Sequence, residues 1–178
     1  MDREQLLVEL VDDDGEAVGA ATVAEAHTSP GRRHRAFSVM LCDRSGRLLM
    51  QRRAPTKSRF ALRWSNTCCG HPAPNEDVAE AATRRLREEM GLKVRALSEV
   101  GVHDYRASDP ATGRVEYEHD HVLVGLHDGP PPRPDSAEVA DWRWASPRDL
   151  DGELDTRPED FTPWLPGVLS IVRRAMDI

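Results

Sequence analysis

The chain has 178 residues, with 24 Lys and Arg against 31 Asp and Glu for a net charge of -7. That length suits one domain with a buried core, and the acidic balance argues against a nucleic-acid surface, which needs a dominant basic face. No apolar run is long enough to predict a transmembrane helix, and the opening Asp2-Arg3-Glu4 lacks the basic-then-apolar order of a secretory signal.

Leu6 to Val11 reads as a short strand that ends in the turn-like Asp12-Asp13-Asp14-Gly15. Phe37 to Cys42 and Leu48 to Arg52 flank Asp43-Arg44-Ser45-Gly46-Arg47, the pattern of a hairpin. Glu76 to Met90 is rich in Ala, Leu, Arg and Glu, and Gly91 follows as a stop, so a helix is predicted there. Glu88 and Glu89 fall at the end of that helix where the dipole disfavours them. A bound cation is the natural reason for such placement. Glu99 to Ala107 and Val115 to Leu126 read as two strands joined by Asp109-Pro110-Ala111-Thr112-Gly113, and Asp128 to Pro134 as a loop. Too little chain follows that loop to predict a second core. Trp142 to Ala145 reads as a strand, Pro147 to Leu150 as a short helix and Trp164 to Met176 as a C-terminal helix. Mixed strands with a long central helix and flanking helices predict an α/β or α+β sandwich.

Three features carry chemistry. Glu116 and Glu118 alternate on a predicted strand and share a face. Alone, such a pair is ordinarily a solvated polar face, but like charges side by side also suit a bound cation. His27, His34 and His71 would complete a nitrogen and oxygen set plausible for Mn, Mg, Fe or Zn. Cys42, Cys68 and Cys69 are odd in number and two are adjacent, a poor disulfide framework that suits a reducing cytoplasm. Cys69 is open to three readings: an inert buried thiol, a metal ligand beside Cys68 and His71, or an acid or base with a tuned pKa.

From Gly70 onward the spacing resembles the Nudix box. Gly70, Glu76, Arg84, Leu86, Glu88, Glu89, Gly91 and Leu92 all match, and Arg85 departs where a pyrophosphohydrolase carries glutamate. Ala26-His27-Thr28, His34-Arg35-Ala36-Phe37-Ser38, Cys69-Gly70-His71-Pro72 and Glu116-x-Glu118 occur in order as well. Together they resemble the type I isopentenyl-diphosphate isomerases.

The resemblance implies a Nudix-like α/β/α sandwich with a mixed sheet and a central Nudix-type helix, spanning residues 1–178 as one domain. It implies that one divalent metal is held by His27, His34, His71, Glu116 and Glu118. Mn2+ is the first expectation there, with Zn2+ or Mg2+ as alternatives. A second ion, Mg2+, would bridge the substrate phosphates through Glu89. Cys69 and Glu118 are implied as the acid–base pair that moves a carbon–carbon double bond, with Tyr105 beside the proton path and Trp164 covering the substrate. Arg53 and Lys57, with Arg85 on the helix, are implied as the cations for the diphosphate. Cys68 is read as packing. Val23 stands where many relatives carry a phosphate-binding lysine.

The expected partner is therefore a small isoprenoid diphosphate, for a cytoplasmic monomer that binds neither nucleic acid nor membrane. Two other readings compete. A Nudix pyrophosphohydrolase has no use for Cys69 or the three histidines. A metal-stabilised binding module leaves Arg53, Lys57 and the Glu118 pairing without a role.

Overall fold

A computed structural model describes residues 2–177. It contains strands β1 (Leu7–Val11), β2 (Ala17–Thr22), β3 (His34–Cys42), β4 (Leu48–Arg53), β5 (Trp64–Ser65), β6 (Cys68–Gly70), β7 (Ser98–Ser108), β8 (Val115–Leu126) and β9 (Val139–Ala145). Helices α1 (Val23–Ala26), α2 (Val78–Met90), α3 (Pro147–Thr156) and α4 (Leu165–Met176) complete it, with two 3-10 turns. All of these strands join one mixed sheet.

β3 organises the sheet. It runs parallel to β8 from the His34–Glu118 pair to the Cys42–Leu126 pair and antiparallel to β6. From Ala36 to Cys42 every residue is buried, as expected for a strand covered on both faces. Phe37, Val39 and Leu41 pack with Ala81, Ala82, Leu86 and Met90 of α2. Met40 and Cys42 point the other way, into a core with Leu165, Val168, Leu169 and Val172 of α4. Side chains alternate across a strand with period two, so β3 serves two helix layers at once. Burying each large side chain contributes roughly 1.5–3 kcal/mol before entropy is counted.

α2 is fixed at both ends by its own sequence. The Asp77 carboxylate accepts the Glu80 N–H at 2.9 Å, satisfying one of the free amides at the helix start. Gly91 closes the other end in the left-handed conformation, at φ 65°. The loop after β8 docks there, with the Arg133 N–H donating to the Met90 carbonyl at 3.0 Å.

The expected elements are all present, with shifted ends: β3 begins at His34, β9 at Val139, and α3 runs on to Thr156. β2 and α1 lie outside the sequence expectation. β2 is built largely of small residues, and α1 is a single turn held by a reciprocal Thr22–Glu25 capping box. β5 and β6 span only two and three residues and exist through pairing with β4 and β3, not through local preference.

A side chain at position 91 would meet two penalties. An L-residue with positive φ costs roughly 1–2 kcal/mol, and a Cβ there would lie 2.5 Å from the Arg133 carbonyl oxygen. Gly91→Ala is therefore expected to lower the free energy of unfolding by at least about 1–2 kcal/mol, read as a drop in the urea midpoint with an unchanged slope.

Candidate active site

A cavity of about 1140 Å³ lies between the sheet, α2 and the N-terminal segment, lined among others by Arg53, Lys57, Cys69, His71, Arg85, Glu89, Tyr105, Glu116, Glu118 and Trp164. Sheet register brings the central row together. His34 of β3 pairs with Glu118 of β8, and Glu118 pairs on its other side with Tyr105 of β7. α1 delivers His27 at its C-terminal end, and the His27 carbonyl in turn accepts the Val115 N–H that starts β8, at 2.9 Å. β6 runs into His71. Gly70 lets it lie close, since a Cβ there would sit 2.7 Å from Phe37 Cζ and 3.3 Å from Arg85 Cγ.

His27, His34, His71, Glu116 and Glu118 each offer one ligand atom, and these atoms all lie within 4.8 Å of one another. His27 Nδ1 lies 2.7 Å from the Val23 carbonyl and His34 Nδ1 2.7 Å from the Arg32 carbonyl. A carbonyl only accepts, so both Nδ1 atoms carry the hydrogen and both Nε2 atoms turn inward. His34 Nε2 has no hydrogen-bond partner, and His27 Nε2 and Glu116 Oε2 have none beyond each other, 2.8 Å apart. Buried polar atoms left in this state are costly. A shared cation facing the inward donor atoms removes the cost, so the residues fit a divalent metal.

The protonation states agree. Burial disfavours charge on His27, but the Glu116 carboxylate outweighs it and holds the pKa up at about 9. A proton thus occupies the place a metal would take. Burial brings His71 down to about 4 despite its contact with Glu118 at 3.0 Å. Burial opposes the charge on Glu118, yet the three imidazoles around it, His71 in hydrogen-bond contact and His34 and His27 at 3.5 and 3.9 Å, keep its carboxyl well below the usual range.

The thiol stands at the apolar end of the cavity. Burial, with the charge of Asp120 next in importance, pushes Cys69 up to about 12, so the group is a neutral thiol. Its Sγ–H donates to Asn66 Oδ1 at 3.2 Å, and the same oxygen accepts the Trp164 indole N–H at 3.0 Å. One buried amide therefore orients both the thiol and the indole. The Tyr105 hydroxyl donates to Glu118 Oε2 at 2.6 Å, and its ring lies 5.9 Å from Trp164. Cys68 points away from the cavity into the core under α2 and is fully buried.

The opposite end is ionic. Glu89 accepts from Lys57 at 3.2 Å, from Arg85 at 2.5 Å and from Gln51 at 3.0 Å. Glu138 pairs with Lys57, with Arg85 at 2.9 Å and with Arg3 at 2.9 Å. Burial works against the charge of Glu138, but Lys57 and Arg85 bring it down to about 2. Arg53 takes a different position: its guanidinium is buried, donates to the Arg59 and Phe60 carbonyls, and lies 5.5 Å from the Trp164 ring.

Every site residue expected from sequence, from His27 to Trp164, lies in or against this one region. Asn66, Glu138, Asp120 and Arg59 lie outside the sequence expectation. Asp120 extends the Glu116, Glu118 alternation along the same face of β8, a signal that was there to read. Asn66, Glu138 and Arg59 carry no local signal, because their partners lie far away in sequence.

Comparison with known proteins gives consistent results. Residues 32–165 match the model of the NUDIX domain. An isopentenyl-diphosphate Delta-isomerase of Nocardia farcinica is 57% identical over 94% of this chain and 95% of its own. One from Halorhodospira halophila is 45% identical over 88% of this chain and 89% of its own. Among solved structures, DR0079 from Deinococcus radiodurans superposes with a TM-score of 0.75 at 21% identity, over 95% of this chain and 98% of that one, a likeness of fold.

Metal uptake should release protons in a way the geometry fixes. At pH 7.5 the metal-free His27 carries a proton, since its pKa is about 9, whereas His71 at about 4 is already neutral. Binding needs the His27 Nε2 lone pair, so about one proton should leave per ion. Calorimetric titration with Mn2+ in two buffers of different ionisation enthalpy should detect it. Apparent affinity should rise about tenfold per pH unit until the pH reaches the His27 value.

Proposed function

The chain belongs to the Nudix family and, within it, to the isopentenyl-diphosphate Delta-isomerases, and from that premise we propose how its residues divide the work. It is an isomerase that interconverts isopentenyl and dimethylallyl diphosphates. The observation that carries the assignment of roles is one cavity holding a neutral thiol at Cys69 and an ionised carboxylate at Glu118, with the Trp164 indole beside them.

In the direction of dimethylallyl diphosphate, the Cys69 thiol gives its proton to the terminal alkene carbon, leaving a tertiary cation. The adjacent carbon then loses a proton to the Glu118 carboxylate, and the two electrons of that C–H bond form the new double bond. Proton exchange with solvent resets the pair, and the reverse reaction uses the same groups with roles exchanged. Tyr105, bonded to Glu118 Oε2 at 2.6 Å, holds that oxygen in line. Trp164 excludes water and stabilises the cation by about 2 kcal/mol or more once it is desolvated. His27, His34, His71, Glu116 and Glu118 would hold a divalent ion, which would supply positive charge that favours the ionised Glu118; Mn2+ suits this nitrogen and oxygen set, and Zn2+ or Mg2+ are the alternatives.

Lys57 and Arg85 bind the diphosphate, with Arg53 supporting the wall that faces Trp164. All oxygens of Glu89 are engaged by Gln51, Lys57 and Arg85. Glu89 would hold a Mg2+ ion once a diphosphate had taken over those two cations, since that ion prefers carboxylate and phosphate oxygens. We further read the chain as one domain working as a monomer in the cytoplasm. Support comes from the single sheet that runs through the described residues and from three free cysteines. No helix among those residues is long and apolar enough to cross a membrane.

Cys69→Ala should reduce isomerisation by at least about 10²-fold, the scale of one general acid, and should suppress incorporation of solvent deuterium into the product equally. Cys68→Ala should keep most of the activity. The reverse ranking of the two variants would overturn the assignment.

The helix should no longer serve hydrolysis. Arg85 occupies the position of a carboxylate that would help organise metals around an attacking water. The wild type is expected to release no phosphate or pyrophosphate from nucleoside diphosphate derivatives. Arg85→Ala should raise KM for isopentenyl diphosphate more than it lowers kcat, read from initial rates.

A further inference from the structure

Arg59 has no role in the chemistry described so far, yet it is more than nine-tenths buried and lines the cavity. It projects from the loop between β4 and β5. Two residues there hold backbone angles that L-residues rarely adopt, Phe60 at φ 47° and Leu62 at φ 63°. The surroundings enforce this conformation. The buried Asp109 carboxylate accepts the Phe60 N–H at 3.0 Å. The Arg53 guanidinium donates to the carbonyls of Arg59 at 2.8 Å and Phe60 at 3.1 Å. Strained backbone persists where surroundings over-determine it, and such places cluster at functional sites.

The strain delivers one guanidinium to one carboxylate. Arg59 Nε donates to Glu116 Oε1 at 3.0 Å, while its Nη1 donates to Glu4 Oε1 at 3.0 Å and Ser58 Oγ at 2.9 Å. The two oxygens of Glu116 are thereby made unequal. Oε1 is engaged by Arg59, and among the described residues the one polar contact of Oε2 is His27 Nε2 at 2.8 Å, inside the cluster. Besides His27, Arg59 is the only cationic side chain within ion-pair distance of Glu116 among the described residues. A guanidinium keeps its charge at any working pH, so this hold persists when a metal displaces the proton from His27.

We propose that Arg59 is a positioning residue for the metal centre: it fixes Glu116 so that Oε2 alone faces the ion, and through Glu4 it ties the N-terminal segment to that geometry. The proposal rests on the reading of the five clustered residues as a metal site. Arg59 differs from Lys57 and Arg85 in its surroundings. Those two face the Glu89 and Glu138 carboxylates at the far end of the cavity, whereas Arg59 faces a ligand of the proposed ion directly.

The test is Mn2+ affinity, with no substrate present, measured by competition with a fluorescent chelator. Arg59→Leu should bind Mn2+ about 10–100-fold more weakly than wild type, the usual loss when an outer partner of a ligand is removed. Arg59→Lys should recover part of that loss, because it restores charge without the fixed Nε donor. Glu4→Gln should weaken binding less than Arg59→Leu does. Far-UV circular dichroism checks folding; should Arg59→Leu not fold, wild-type affinity in Arg59→Lys overturns the proposal. Equal affinity in wild type and Arg59→Leu, with a raised KM for isopentenyl diphosphate, would overturn it too and make Arg59 a diphosphate cation. A wild type that takes up no Mn2+ overturns the metal centre and this role together.

Discussion

Glu116 and Glu118 stand on one face of β8 with almost no solvent around them. Two like charges in a low-dielectric interior are tolerated only when cations or donors surround them. That requirement governs the architecture around the site. His34 reaches Glu118 because β3 and β8 run parallel in a fixed register. His27 arrives at the end of a one-turn helix, His71 directly after β6, Tyr105 from β7 and Arg59 from a strained loop. Each comes from a different part of the chain, so the site cannot form before the sheet does. A one-residue slip between β3 and β8 would turn His34 to the opposite face and take one imidazole away from Glu118.

The same cavity divides into two electrostatic regimes. At one end Cys69, Tyr105 and Trp164 are packed against the core, and burial keeps the thiol and the phenol neutral. At the other end Arg3, Lys57 and Arg85 are matched against Glu88, Glu89 and Glu138. An amphipathic substrate with an apolar five-carbon tail and a charged diphosphate has the same division. Such a tail must react away from water and such a head must be neutralised, needs that call for separate apolar and ionic surroundings. Asn66 links two groups of the apolar end, since its Oδ1 accepts from both the Cys69 thiol and the Trp164 indole.

The fold itself does not select this chemistry. DR0079 of Deinococcus radiodurans and a MutT protein of Methanosarcina mazei share the sheet and the helix layers at 21% and 16% identity. Function lies in the side chains placed on that frame. Here α2 keeps the two carboxylates of its last turn but presents Arg85 beside Glu89, an i to i+4 ion pair buried on the inner face of the helix. That pair sets a guanidinium beside a carboxylate on the face of α2 that lines the cavity.

Local sequence was enough to define α2, because Asp77 and Gly91 act within a turn of the helix ends they cap. It also gave the shared face of Glu116 and Glu118, because strand alternation is a property of successive residues. The close spacing of Cys69 and His71, and the identity of the three histidines, were equally legible. Assembly was not. Arg59 meets Glu116 across 57 positions of sequence and Lys57 meets Glu138 across 81. β5 and β6 exist only because neighbouring strands accept them. Which oxygen of Glu116 remains open, and whether Cys69 carries its proton, depend on desolvation and on charges brought from distant segments. Helix and strand preferences act over a few residues, whereas burial and Coulomb interactions act through space once the sheet register is set. The chain therefore fixes the residue types and their faces locally, and only the folded sheet decides their partners and their charge.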